Sequence, residues 1–273
     1  MKDLRIMGSG KLRVLNQILI SGGKFDLFEH SIILGYRGSM VHGTYISDKQ
    51  LIDDIDVMGV AIPPLQYYTG MEKFEQFERL PEKEDKSDPW DIVIYEFHKF
   101  VRLLIKSNPN VMQLLWLPDK FYIHVSDIGK ELIANRELFA TKNAYHAFSG
   151  YAYGQLKRMT ADRTNWRMGA KRKLLVERYG YDVKNAAHLI RLLRMGIEFL
   201  NDGELYPERK DASQLIQIKR GEWKLEKVKE TAEKLFEKCE LAYINSKLPK
   251  SPNIIKIKSL VFDLTNSRFS QND

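Results

Sequence analysis

The spacing of hydrophobic positions changes along this chain, and the change predicts two structurally different parts. Short apolar or alternating runs predict buried strands at residues 31–36, 54–62 and 91–96. From about residue 127 almost to residue 245, apolar residues recur every three or four positions, as on the buried face of helices. The pattern therefore predicts an α+β fold, in which a mixed sheet with flanking helices precedes an all-helical domain.

Turn-forming residues set the limits of the predicted elements. Gly22-Gly23 ends a first helix at residues 11–20, and residues 70–90, which are charged and contain two prolines, are predicted to form an exposed loop. The change from strands to helices places the domain boundary near residue 125. We therefore expect a first domain at residues 1–125 and a helical second domain at residues 126–273.

The composition is that of a globular protein without disulfides. Of the 273 residues, 44% are hydrophobic, and the one cysteine, Cys239, lies in the apolar stripe of a helical stretch, where we expect it to be buried and unreactive. No apolar run has the length of a signal-peptide core or of a membrane-crossing helix. We therefore expect a cytoplasmic protein with no membrane partner. The oligomeric state stays open.

An excess of basic residues favours phosphate-bearing partners. The net charge is +7, and much of the excess falls in residues 155–194. Five aromatic residues alternate with these cations. They are Tyr151, Tyr153, Trp166, Tyr179 and Tyr181. They either stack on bases while the cations contact phosphates, or they fill the core of the helical domain. Many basic proteins bind no nucleic acid, so the charge alone does not establish RNA as a partner.

Two carboxylates in the second predicted strand form a candidate metal site. Alternation places Asp54 and Asp56 on the same face of the strand, where they repel each other unless a positive charge lies between them. Mg²⁺ commonly takes one or two carboxylates together with substrate phosphates. A third carboxylate from a neighbouring strand would complete a two-metal site. Asp91 fits because it opens the third strand, and Glu96 is the alternative. The competing interpretation is a polar turn that leads into an edge strand.

The order of these features resembles a known superfamily. A strand that ends in Gly38-Ser39, then a loop, then Asp54 and Asp56 within a hydrophobic strand resemble the signature of the polymerase-beta-type nucleotidyltransferases. The chain looks like one branch of it, the predicted nucleotidyltransferases that include the RNA-ligase-associated type. The loop after Ser39 is longer than in minimal members. The resembling segments, which extend the match from about residue 30 to residue 262, are residues 53–60, 106–111, 171–184, 187–193 and 248–252.

This resemblance implies an activity and a set of ligands. Gly38 and Ser39 would support the phosphates of an incoming nucleoside triphosphate (NTP). Asp54 and Asp56 would hold two divalent cations, Mg²⁺ or Mn²⁺, with Asp91 as our choice for the third ligand. The enzyme would transfer a nucleoside monophosphate to an acceptor, which we expect to be an RNA end or another polynucleotide hydroxyl. Two alternatives stay open: a protein-modifying, AMP-transferring regulator of the antitoxin type, and a nucleic-acid-binding module without catalysis.

A further set of cations lies on one predicted helix of the second domain. Asp182 can cap this helix, and Lys184, His188 and Arg191 follow at positions i, i+4 and i+7 of one face. Another face is apolar, which suits a helix docked on a core with its cations directed into a cleft. The three basic side chains are therefore candidate ligands for the β- and γ-phosphates of the NTP. The alternative is a solvated basic face without a ligand.

Overall fold

The structure of this protein is a computed structural model that describes residues 9–46, 53–81, 89–160 and 170–270. It has the predicted α+β fold, with a mixed five-stranded sheet, flanking helices and a helical C-terminal region. Among the helices in these residues, none is long and apolar enough to cross a membrane.

Five strands form the sheet, and the three in its centre are those that the sequence predicts. The strands are β1 (Ser31–Tyr36), β2 (Ile55–Ala61), β3 (Gln76–Arg79), β4 (Trp90–Glu96) and β5 (Tyr122–Val125). Their order across the sheet is β3-β4-β2-β1-β5. The β2–β4 pair is parallel, and the other neighbouring pairs are antiparallel. All six positions of β1 are buried, as expected of a central strand covered on both faces.

The sequence pattern does not predict the two edge strands, β3 and β5. The expectation of a loop over residues 70–90 is wrong for β3, which pairs antiparallel with residues 92–95 of β4. The side chains of β3 are half-buried or exposed, and those of β5 are half-buried. Each of these strands has only four residues, which is too short for the spacing of apolar positions to distinguish a strand from a loop. Residues 82–88 of the expected loop lie outside the described residues.

Helices account for most of the chain outside the sheet. They are α1 (Ser9–Ser21), α2 (Leu27–His30), α3 (Gly38–Val41), α4 (Gln66–Thr69), α5 (Phe97–Ile105), α6 (Pro109–Met112), α7 (Asp127–Ala134), α8 (Asn143–Thr160), α9 (Ala170–Tyr179), α10 (Val183–Asp202), α11 (Ala212–Lys219), α12 (Leu225–Asn245) and α13 (Ile254–Ser270). The predicted first helix is confirmed by α1. The last helix, α13, lies after residue 245, where the helical periodicity of the sequence ends.

The chain divides into two compact units, the first built around the sheet and the second made of helices. The first unit comprises Met1–Ile105, Asn110–Phe139 and Asn253–Asp273, and the second comprises Lys106–Pro109 and Ala140–Pro252. The first unit thus continues past residue 125 and includes α13, which packs against α7. The domain limits expected from the sequence place α13 in the helical part instead, because local periodicity does not report which distant element a helix contacts.

The centre of the second unit is α10, which lies against α8, α11 and α12. Thirteen of its twenty residues are buried. Its limits are those predicted: the Asp182 side chain accepts a hydrogen bond from the Asn185 backbone N–H at 3.0 Å, and Gly203 ends the helix with a φ of 73°. The predicted burial of Cys239 is confirmed, and burial raises the pKa of its thiol to about 11, which keeps it protonated at neutral pH.

Candidate active site

Three neighbouring strands bring Arg37, Asp56 and Asp91 into one row across the sheet. The backbone N–H of Arg37, directly after β1, donates to the Asp56 carbonyl oxygen at 2.9 Å and continues the β1–β2 ladder. Asp56 is in turn the register partner of Asp91 in the parallel β2–β4 pair. Residues directly opposite each other on adjacent strands point to the same face of a sheet. The three side chains therefore share one face, with Asp56 in the middle.

The turn after β1 lies directly against the Asp56 carboxylate. Gly38 has a φ of 67°, a left-handed conformation that favours glycine. A Cβ atom at this position would lie 2.1 Å from Oδ2 of Asp56, which is far closer than any real contact. Glycine is therefore required here twice, once for the backbone conformation and once because a side chain would displace the carboxylate.

The carboxylate of Asp56 is difficult to ionise in the absence of a cation. Burial raises its pKa to about 7, and the negative charges of Asp91 and Asp54 add to this effect, while the positive charge of Arg37 opposes it. One guanidinium nitrogen of Arg37 donates to Oδ1 of Asp91 at 2.8 Å. Arg37 belongs to no motif that predicts a site from the sequence alone. Its only signal is a cation placed between a buried strand and the Gly38-Ser39 turn.

The other two acidic residues of this region differ in role. Asp54, directly before β2, is exposed, whereas Asp53 is buried. A side-chain oxygen of Asp53 accepts the Ile46 N–H at 3.1 Å, and its own N–H donates to the Ile46 carbonyl at 3.1 Å. Asp53 thus joins the two ends of the long loop between Ser39 and Asp54, whose residues 47–52 lie outside the described residues. These hydrogen bonds give Asp53 a structural role.

Asp56 and Asp91 suit a divalent cation whose coordination is completed by substrate. Among the residues that the structure describes, no group of three acidic, histidine or cysteine side chains is placed to hold a metal ion by itself. Mg²⁺, however, usually keeps waters and binds through one or two carboxylates plus substrate phosphates. A half-buried pair of carboxylates in register matches that requirement. These two residues, with Asp54 at the start of the strand, are the ones that could hold the cation.

Glu96, the alternative third carboxylate, lies at the opposite end of β4, about 16 Å from Asp91 along the strand. Its carboxylate accepts the backbone N–H groups of His98 and Lys99, both at 2.8 Å, and the Tyr68 hydroxyl at 3.0 Å. Burial raises the pKa of Glu96, but hydrogen bonds from His98 and Lys99 outweigh burial and hold the pKa below its ordinary value. Glu96 therefore caps α5, and the geometry favours Asp91 beside Asp56.

Two hydrogen-bond donors beside this row lack a partner. The Ser39 hydroxyl and Nε of Arg37 are both buried, and neither has a hydrogen-bond partner within the described ranges. Buried polar groups are nearly always satisfied by protein, water or ligand. The two residues flank Gly38, so the turn places unsatisfied donors next to the carboxylate pair. This arrangement suits an anion held beside a cation, as the phosphates of a nucleotide would be.

The three candidate phosphate ligands on α10 differ in exposure. Lys184 and His188 are half-buried, whereas Arg191 is buried, with 9% of its surface exposed. The burial of Arg191 argues against the alternative of a solvated basic face at that position, because α8, α11 and α12 enclose most of the helix.

The buried charge of Arg191 has no carboxylate partner in the part of the chain that the structure describes. Its guanidinium lies 3.3 Å from the sulfur of Met195. Nearby, Arg209 forms ion pairs with both Glu198 and Asp211. Burial and, secondly, the positive charge of Arg209 lower the pKa of Arg191 to about 9, although Asp211 acts in the opposite direction. A buried cation in these surroundings would bind an anion favourably.

Comparison with known proteins identifies the family. A sheet with paired carboxylates beside a glycine turn, followed by a helical unit, defines the class as a nucleotidyltransferase of the polymerase-beta type. The sequence profile of the RNA repair pathway DNA polymerase beta family (RlaP) matches residues 30–254. The chain therefore belongs to that family, and the resemblance drawn from Gly38-Ser39, Asp54 and Asp56 is confirmed at the level of the family.

Comparison with solved structures and with curated proteins does not extend the assignment beyond the family. Among solved structures, the CD-NTase CdnG of Bradyrhizobium diazoefficiens in complex with GTP shares 12% identity with this chain, covering 97% of this chain and 93% of that one, with a TM-score of 0.21. A similarity this weak supports no conclusion about fold or ligands. No curated protein matches the chain.

Asp56→Asn should stabilise the metal-free protein, and more so at higher pH. The folded-state pKa of Asp56, about 7, lies above its ordinary value of 3.8, so folding favours the protonated carboxyl. The wild type should therefore lose stability as the pH rises through that interval, by roughly 4 kcal/mol at most, and lose no more above it. Asparagine removes this dependence. Thermal unfolding in EDTA should give a larger Tm difference between variant and wild type at pH 8 than at pH 5.

Asp119→Asn, which changes an exposed carboxylate of the first unit, controls for the removal of one negative charge. A Tm difference for Asp56→Asn that is equal at the two pH values, or larger at pH 5, would contradict the raised pKa.

Proposed function

We propose that this protein transfers a nucleoside monophosphate from an NTP to a hydroxyl group of RNA, with divalent cations held by Asp54, Asp56 and Asp91. The observation that carries the proposal is the pairing of Asp56 with Asp91 on one face of the sheet, beside the Gly38 turn. Membership in the RNA repair pathway DNA polymerase beta family supports RNA as the acceptor. When bound, the cations would neutralise charge on the reacting phosphate and activate the acceptor hydroxyl.

The side chains of this site have separate roles in the proposal. The carboxylates of Asp56 and Asp91 bind and orient Mg²⁺ or Mn²⁺, and Asp54 joins them from the exposed start of β2. The Ser39 hydroxyl, buried and without a partner among the described residues, donates to a phosphate oxygen of the NTP. Gly38 lets the backbone approach both the carboxylate and the nucleotide. No side chain acts as a nucleophile, because the attacking group is the hydroxyl of the acceptor.

The proposal also assigns phosphate contacts to Lys184, His188 and Arg191 of α10. The support is the burial of Arg191 without an ion pair in the described residues, since an unneutralised buried charge lowers stability and is often retained for function. Lys184 contributes a point charge, while the planar fork of Arg191 can donate two hydrogen bonds to one phosphate. His188 can donate to phosphate or to a hydroxyl.

Part of α8 has the character of a surface for single-stranded RNA. Tyr151 and Tyr153 are 39% and 52% exposed, and Nζ of Lys157 lies 4.8 Å from the centre of the Tyr153 ring. Lys157 and Arg158 are exposed as well. Exposed rings can stack on bases while neighbouring cations contact phosphates. We therefore include this face of α8 in the proposed acceptor site.

The remaining aromatics of the basic region do not extend this surface. Tyr181 belongs to the core, with 3% of its surface exposed, and its hydroxyl donates to the Trp223 carbonyl. Tyr179 is half-buried and packs closely on Gly221. Trp166 lies outside the described residues.

Substitution of the proposed metal ligands should abolish transfer without unfolding the protein. Asp54→Asn, Asp56→Asn and Asp91→Asn keep the size of each side chain but remove its charge, so Mg²⁺-dependent transfer should fall at least about a hundredfold. Glu96→Gln keeps an oxygen acceptor for the first turn of α5 and should retain most activity. The assay combines the protein with each labelled NTP, Mg²⁺ and either RNA or cell protein, and circular dichroism verifies folding.

Each outcome of this assay has a separate meaning. Full activity in Asp56→Asn would overturn the metal site. Loss in Glu96→Gln with retention in Asp91→Asn would move the third carboxylate to Glu96. Label on protein rather than RNA would favour the AMP-transferring alternative, and RNA binding without any transfer would favour the non-catalytic module.

Substitutions on α10 should weaken NTP binding selectively. Arg191→Met removes the buried charge at similar volume, so the Tm should stay level or rise, while the apparent KM for NTP should rise roughly tenfold or more because a charged phosphate contact is lost. Lys184→Gln should raise KM by a smaller factor, and RNA binding should be nearly intact in both. Lys229→Gln, exposed on α12, is the matched control. Unchanged KM with weaker RNA binding would assign these cations to the acceptor, and no change in either would make them structural.

RNA binding should weaken steeply with salt, and the cations of α8 should account for part of the slope. Each phosphate contact on a single strand contributes about 0.7 to the slope of log affinity against log salt, so Lys157→Gln combined with Arg158→Gln should reduce the slope by up to about 1.4. Tyr153→Ala should weaken binding through lost stacking, with little change in slope. Fluorescence anisotropy with a single-stranded RNA measures both.

The control for the RNA surface removes the same charge elsewhere in the same unit. Lys229→Gln combined with Lys234→Gln changes two exposed lysines of α12 and should leave the slope nearly unchanged. An affinity that is flat with salt in the wild type would contradict an RNA surface on the basic residues.

A further inference from the structure

The Arg37 side chain spans the width of the strand that carries Asp56. Arg37 follows β1, Asp91 lies on β4, and β2 separates them in the sheet. Two strand spacings amount to about 9.6 Å, and the side chains of Arg37 and Asp91 together bridge this width, with their closest N and O atoms 2.8 Å apart. The guanidinium therefore places a positive charge beside both carboxylates.

A divalent cation on Asp56 and Asp91 would compete with this ion pair. Both the cation and the guanidinium are attracted by the same carboxylates, and the two positive charges repel each other across a few ångströms. The side chains of Arg37 and Asp91 are 28% and 26% exposed, so the guanidinium has room to leave without opening the core. The backbone of Arg37 stays fixed by its hydrogen bond to Asp56. Only the side chain has to turn.

A triphosphate bound beside the Gly38 turn could accept hydrogen bonds from the released guanidinium. Nε of Arg37 and the hydroxyl of Ser39 are both buried and both lack an acceptor within the described ranges. A triphosphate supplies acceptor oxygens and negative charge, and guanidinium groups bind phosphates in a two-pronged geometry. A bound nucleotide could therefore accept hydrogen bonds from both Nε of Arg37 and the Ser39 hydroxyl.

We propose that Arg37 exchanges partners: it neutralises Asp91 while no cation is bound, and it turns to the triphosphate when a cation occupies the carboxylates. This inference rests on the proposed function, because it takes Asp56 and Asp91 as the cation ligands. Arg37 then opposes the binding of a cation alone and favours the binding of a nucleotide. Cation and nucleotide bind with positive coupling, since either one releases the ion pair that hinders the other. The site thereby fills with both ligands together.

Arg37→Gln should move the two affinities in opposite directions. Binding of Mn²⁺ alone, measured from the free-ion EPR signal, should become about three- to tenfold tighter because a competing positive charge is gone. Binding of an unreactive α,β-methylene ATP at saturating Mg²⁺, measured by calorimetry, should become about tenfold weaker because a charged phosphate contact is lost. Arg37→Lys keeps the charge and should restore Mn²⁺ affinity close to that of the wild type.

Lys130→Gln is the matched control. It removes one cation from the exposed Lys130–Asp127 pair of the first unit, whose N–O distance is also 2.8 Å, and should change neither affinity. A structural role for Arg37 would weaken both ligands together, so unchanged or weaker Mn²⁺ binding in Arg37→Gln, or unchanged nucleotide binding, overturns the exchange.

Mn²⁺ binding by the wild type and by Asp56→Asn distinguishes a failure of the proposed metal site from a failure of the exchange. If the wild type binds Mn²⁺ and Asp56→Asn does not, the metal site stands and the Arg37 variants alone decide the inference. If the wild type binds no Mn²⁺, either alone or together with the nucleotide analogue, the proposed metal site is overturned and the exchange with it.

Discussion

The carboxylates of Asp56 and Asp91 are held side by side because β2 and β4 pair in parallel and in register. Neighbouring strands are about 4.8 Å apart, so neither charge can move away without breaking the centre of the sheet. Burial and this proximity raise the pKa of Asp56 to about 7, and a positive charge beside the carboxylate would lower it again. Two neighbouring residues complete the surroundings of Asp56: Gly38 lets the turn contact the carboxylate, and Arg37 supplies one positive charge.

In the helical unit, the unbalanced charge is positive. The carboxylates of Glu198 and Asp211 are both engaged by Arg209, and Asp211 is also paired with Arg194. Arg191 is left as a buried positive charge whose pKa is lowered mainly by burial. Among the described residues, no carboxylate forms an ion pair with Arg191, although Asp211 is close enough to act on its charge. A phosphate bound to α10 would neutralise this charge, which supports the proposed phosphate contacts of Arg191.

The parts of the candidate site differ in how far the sequence could predict them. Asp54, Asp56 and the Gly38-Ser39 turn are recognisable because each pair is local in the chain and sits at a strand boundary. The choice between Asp91 and Glu96 is not local: both lie on β4, and only the register with β2 places one of them beside Asp56 and the other about 16 Å away. Arg37 was missed for the same reason, since its partner is on another strand.

The same division holds for the fold. The sequence by itself determined the three central strands, the limits of α10 and the change from sheet to helices, because an apolar run or a capping residue acts through its immediate neighbours. Only the tertiary structure decided the short edge strands, the return of α13 to the first unit and the burial of Arg191. These depend on contacts between residues far apart in the chain, and the spacing of hydrophobic positions reports that a face is buried but not against what.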